Sequence, residues 1–149
     1  MSGMTGMVVA VSSILFCGQE DASDLGKLEG TWKVVQMVEG GKDLPKDKIK
    51  NIVFYVKENR LILRDGRELI EKGTFELNSK ANPKEWTTIS ESDESKPIKC
   101  IYKITAKQVI LCIGEPGGER PKEFASREKS GVILLVLEKP DPKDPKPGN

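Results

Sequence analysis

The sequence predicts an all-β protein, with eight antiparallel strands closing into one up-and-down barrel. Three observations carry this. Between Leu28 and Glu138 the apolar residues recur with a period of two, the repeat of a half-buried strand. Turn signals separate the apolar runs, among them Gly40-Gly41, Glu58-Asn59 and Asp65-Gly66. The runs are short and joined mostly in sequence, which suits a barrel; a sandwich of two sheets is the alternative.

The first strand covers Leu28 to Glu39 and ends at the glycine pair. Asp43 to Asn51 carries Pro45 and three lysines and has room for one short helical turn. The second strand is Ile52–Val56 and the third Arg60–Arg64, followed by the Asp65-Gly66 hairpin signal. The fourth is Glu68–Leu77, with Gly73 as a bulge or barrel bend. After a loop over Asn78–Lys84 comes the fifth, Trp86–Ser90, and then a polar loop over Glu91–Lys96. The sixth strand is Ile98–Thr105, the seventh Gln108–Ile113 and the eighth Val132–Glu138. The connection Gly114–Gly131 is by far the longest, which marks it as a candidate lid or functional loop.

At 149 residues the chain has length for one domain with a core or a small cavity. Lys and Arg number 24 against 23 Asp and Glu, and charges of both signs mostly alternate, so nothing points to nucleic acid. The absence of histidine removes the commonest general base and metal ligand. Cys17, Cys100 and Cys112 form no C-x-x-C pair, and their odd number argues against a disulfide scaffold. The expectation is a protein without metal or cofactor, not an enzyme, and a monomer.

Met7–Cys17 has the length of a signal-peptide apolar region and is too short to span a membrane as a helix. Ile14-Leu15-Phe16-Cys17 is a degraded lipobox, with Phe16 where a small residue is usual. Export, as a periplasmic or membrane-anchored protein, is therefore expected; a cytoplasmic protein is the alternative. Residues 1–24 read as a leader and polar lead-in, 25–139 as the barrel domain, and 140–149 as a Pro-rich extended tail with too little apolar surface to fold.

Four motifs stand in order along the domain: Leu28-x-Gly30-Thr31-Trp32-Lys33-Val34-Val35, Ile101-Tyr102-x-Ile104 with Val109-x-Leu111-Cys112, Glu119-Arg120-Pro121-x-Glu123-Phe124-Ala125-Ser126, and Leu134–Leu137. With them the chain resembles a lipocalin-like domain family of planctomycete bacteria over nearly the whole barrel domain. The resemblance implies a lipocalin-type barrel and no particular activity, cofactor or ligand. Two departures stand out. Thr105-Ala106-Lys107 replaces the usual Asp-Gly-Asp turn, and Lys139 stands where an arginine would pack on the Gly-x-Trp indole.

Trp32 is in phase with Leu28 and Val34, so it should face inward and plug one end of the barrel. Gly30, Cys112 and Phe124 are likewise expected to be structural, Cys112 as a small buried hydrophobe. The candidate ligand-binding residues are Arg120, Glu123 and the inward-facing Tyr102. Arg120 could bind an anion at a pocket mouth, or pair with a carboxylate or loop carbonyl and hold the long connection. Ser126 lacks a histidine partner for hydrolase chemistry. A barrel of this size can hold one small apolar or amphipathic ligand, or be filled and serve as a structural or protein-interaction domain.

Cys100 and Cys112 lie on adjacent strands. If Ile104 pairs with Val109, Cys100 stands opposite Ile113 and Cys112 opposite Ile101. The two thiols then point to opposite faces and cannot form a disulfide.

Overall fold

The structure, a computed structural model, describes residues 21–143. The expected leader with Cys17 and the end of the tail lie outside the described residues. The described residues build nine strands: β1 (Gly30–Glu39), β2 (Lys42–Asp43), β3 (Ile52–Lys57), β4 (Arg60–Asp65), β5 (Glu68–Asn78), β6 (Lys84–Ser90), β7 (Asp93–Ile104), β8 (Gln108–Pro116) and β9 (Ile133–Glu138). The two-residue β2 pairs only with the end of β1. The other strands pair antiparallel in up-and-down order, and β1 pairs with β9 to close the barrel. Closure leaves no long free edge.

The period-two pattern sets which side chains face inward. Phe54, Val56, Leu61, Leu63, Phe75, Trp86, Tyr102, Val109, Leu111, Leu135 and Leu137 are buried in one continuous core. At its centre the Phe75 and Trp86 rings stack with centroids 4.2 Å apart. Phe54 and Tyr102 meet the Trp86 indole edge-on, at 6.0 and 6.1 Å. The indole nitrogen would be an orphan in such a core, but it donates to Thr88 Oγ1 at 2.8 Å.

Register shifts bend the strands. Between Val34 and Gln36 the β1–β9 ladder slips by one residue, so Met37 reaches the core that strict alternation from Val34 would deny it. In the β4–β5 hairpin the shift falls at Ile70, not at Gly73. Gly73 has a different role: a Cβ there would collide with the Ile89 carbonyl oxygen on β6, so only glycine allows the two backbones to approach.

Both ends are covered. A short helix, α2 (Lys46–Ile49), buries Ile49 at one end, in the segment expected to hold a helical turn. At the other end residues 21–28 are helical, and this helix is α1. The sequence predicts a polar lead-in here, and the helix corrects that expectation. Leu28 is nearly inaccessible and Leu25 packs on the core, because both lie on the helix face turned toward the barrel. The sheet also extends further than hydrophobicity suggests. Strand β6 begins at Lys84, paired with Tyr102, and β7 begins at Asp93, paired with Ser90, so the exposed first residues of β7 belong to the sheet.

Candidate functional site

The predicted candidates Arg120, Glu123 and Tyr102 do not share one pocket. Tyr102 is on the inner face of β7 and buried; Arg120 and Glu123 sit on the long connection after β8, outside the barrel.

Tyr102 points toward α1. Its hydroxyl donates to Asp24 Oδ2 at 2.7 Å, and Lys84 Nζ donates to the same oxygen at 3.0 Å. Asp24 is buried, so the two donors satisfy a carboxylate that would otherwise be costly to place there. Burial, and then the Asp24 carboxylate, push the Tyr102 hydroxyl well above the usual phenol range. At the start of α1, Asp21 Oδ1 accepts from the Ser79 amide at 2.9 Å. These contacts lock the helix onto the barrel. Asp24 escaped sequence reasoning, although Asp24, Leu25 and Leu28 have the spacing of one helical face.

The Gly-x-Trp motif completes this end. Trp32 Nε1 donates to the Leu28 carbonyl at 2.7 Å. Lys139 Nζ lies 4.2 Å from the centre of the Trp32 ring and donates to the Glu29 carbonyl at 3.1 Å. The lysine thus fills the place expected of an arginine, as a point charge over the ring. Gly30, at φ 124°, makes the turn from α1 into β1 in a conformation that side chains disfavour.

Arg120 is directed at the barrel wall. Its Nη1 donates to the carbonyls of Trp86 at 3.2 Å and Cys100 at 2.7 Å, and its Nη2 to Thr87 Oγ1 at 2.8 Å. Its Nε lies 3.6 Å from Glu85 Oε2. The β7–β8 ladder shifts register between Ile98 and Cys100, beside the carbonyl that Arg120 takes up. Nothing in the sequence announces these acceptors, which are brought together only by the pairing of β6 and β7.

Glu123 turns away from Arg120 and accepts from Arg127 Nε at 2.7 Å in an exposed pair. Hydrogen bonding to Arg127 holds its carboxyl below the usual carboxylate range. Phe124 lies under the Lys103 ammonium, 5.0 Å from the ring centre. Ser126 donates to the Val132 carbonyl at 2.6 Å.

Cys112 lies beneath this connection. The β7–β8 register pairs Ile104 with Val109, Cys100 with Ile113 and Ile101 with Cys112, as the inward-facing residues had implied. Cys100 points into the core, Cys112 points outward, and both thiols are free. Cys112 is nonetheless inaccessible, because the connection covers it; the Ala125 carbonyl is 3.6 Å from its Sγ. Ile101 is buried on the same outer face and is likewise not part of the interior core. Burial pushes the Cys100 thiol up to about 12 and raises that of Cys112. Among the described residues, no three His, Cys, Asp or Glu side chains gather where they could hold a metal ion.

Comparison of the chain with protein-family models, with curated proteins and with solved structures gives no match.

Proposed function

We propose that the protein is a non-catalytic, lipocalin-like barrel with a packed interior, serving as a structural or protein-interaction domain and not as a carrier of an internal ligand. The observation that carries this reading is the aromatic cluster at the barrel centre. Phe54, Phe75, Trp86 and Tyr102 are in ring-to-ring contact where a ligand-carrying barrel needs space. Tyr102 and Trp86, the polar-tipped members, spend their donors on Asp24 and Thr88 and have none to offer a guest.

The non-catalytic part of the reading rests on the chemistry of the side chains. Both described thiols are held in their protonated, unreactive form at neutral pH. Arg120, the strongest candidate for anion recognition, has its donors directed at the protein's own wall. The long connection is a strap over the outside of β7 and β8, with its anchors buried, and not a lid over a mouth.

The test is native mass spectrometry of the purified protein together with titration by N-phenylnaphthylamine, a neutral apolar probe. The expected result is the mass of the bare chain and no saturable probe uptake. A co-purifying apolar molecule, or saturable uptake that displaces it, would replace this reading with that of an internal carrier.

A further inference from the structure

Outside the packed interior, at the end closed by α1, lies a solvent-open groove of about 830 Å³. Three separate elements meet there. Lys27 comes from α1, Lys107 from the β7–β8 turn, and Lys139 from the chain just past β9. Lys27 and Lys107 have no hydrogen-bond or ion-pair partner among the described residues. Lys139 donates to a carbonyl and keeps further donor capacity, since an ammonium carries three N–H groups. The one carboxylate in the lining, Glu138, accepts from Gln108 Nε2 at 2.8 Å. Ile104, Ala106 and Trp32 supply the apolar part of the surface.

We propose that this groove binds a small organic anion with a flat apolar body, such as an aromatic carboxylate or sulfonate. The chain as a whole is nearly neutral, at +1, so a cluster of three ammonium groups is a local feature and not a consequence of composition. Like charges held around one concavity repel one another, and an anion placed between them relieves that repulsion. The apolar lining selects a ligand with a hydrophobic body over a bare inorganic ion. Because the groove is lined by the helix, a turn and the end of the last strand, an occupied groove ties α1 more firmly to the barrel. It meets the core only through Trp32 and Ile104, and none of the central rings of Phe54, Phe75, Trp86 and Tyr102 lines it, so this inference stands whether or not the interior takes a guest.

The probe is anilinonaphthalenesulfonate, titrated into the full chain by fluorescence and located by amide chemical-shift mapping. The expected result is saturable binding, with shifts concentrated at Lys27, Ala106, Lys107 and Lys139. The double variant Lys27→Gln/Lys107→Gln should bind about tenfold more weakly or worse. Lys46→Gln/Lys48→Gln, which removes the same charge from α2 at the far end, should leave affinity unchanged. Neutral N-phenylnaphthylamine should produce no shifts at the groove. The proposal is overturned by absent or non-saturable binding, by shifts located elsewhere, by equal losses in the two double variants, or by equal occupation by the neutral probe.

Discussion

The two faces of the β7–β8 wall are buried by different means. Inside, Cys100, Tyr102 and Leu111 join a core built from strands distant in sequence and centred on stacked aromatic rings. Outside, Ile101 and Cys112 are equally inaccessible, and an irregular connection lies over Cys112. The inner layer is held by area and shape, the outer one by a few directed hydrogen bonds, chiefly those of Arg120 and Ser126. An antiparallel sheet usually leaves one face to water. Here the longest loop closes that face, so its length serves coverage of the wall and not access to the interior. The two layers should therefore fail differently: loss of the inner one unfolds the barrel, and loss of the outer one opens a strap.

The largest effect is expected inside. Phe75→Ala removes the ring stacked on Trp86 and should destabilise the protein by about 3–5 kcal/mol. Trp32→Ala, at the plugged end, belongs in the same range. Urea denaturation measures both, and a loss below about 1 kcal/mol for Phe75→Ala would show that the ring is not packed as described.

The strap should respond to Arg120→Ala with a smaller loss, about 1.5–3 kcal/mol, because two carbonyls lose a charged donor. Its distinguishing readout is thiol reactivity in a Cys17→Ser background. In that background the folded protein should expose neither remaining thiol. With Arg120→Ala added, Cys112 should become reactive while Cys100 stays protected until global unfolding. Simultaneous exposure of both would mean that strap and core open as one unit.

Tyr102→Phe tests the latch between the inner face and α1. It leaves Asp24 with Lys84 but without the buried phenol donor, and the cost should be about 1–2 kcal/mol. Faster amide exchange in residues 21–28 should accompany it; unchanged exchange there would remove the latch from the picture.

The effect that is smallest near neutral pH, and grows only above it, is in the alkaline pH dependence. Burial holds the Cys100 thiol at about 12 in the folded protein, against about 8.5 in an unfolded chain. The folded state keeps a proton that the unfolded chain releases. This contribution is complete below pH about 8.5 and is lost as the pH rises toward the folded value. Cys100→Ala should make the alkaline decline in stability shallower, and an unchanged slope would assign the decline to other groups, Tyr102 foremost.

The inner layer was the more legible of the two in the sequence. Alternation along Ile98–Ile113 fixes which residues face inward, and that choice fixes the register and the opposed cysteines. The Gly-x-Trp segment likewise announced its plug. The outer layer was legible only in part. Cys112 was expected to be buried, but what buries it is a loop whose path depends on carbonyls of Trp86 and Cys100, and backbone acceptors carry no residue signature. The helix at residues 21–28 was missed because two leucines among polar residues give little periodicity over so short a span. Alternation turns Tyr102 inward, but only the path of the long connection shows that Arg120 and Glu123, its companions as candidates, stand on the other side of the wall.

The most direct test of a filled interior is the thermal stability of the wild-type protein and of Phe75→Ala with and without benzene. Deleting a stacked ring from a packed apolar core leaves a dry cavity of the kind that takes up benzene. Benzene should raise the melting temperature of Phe75→Ala and leave that of the wild type unchanged, since ligand that binds only the folded state stabilises it. An equal rise in the wild type would show that the barrel already holds an apolar cavity, and would contradict the filled core.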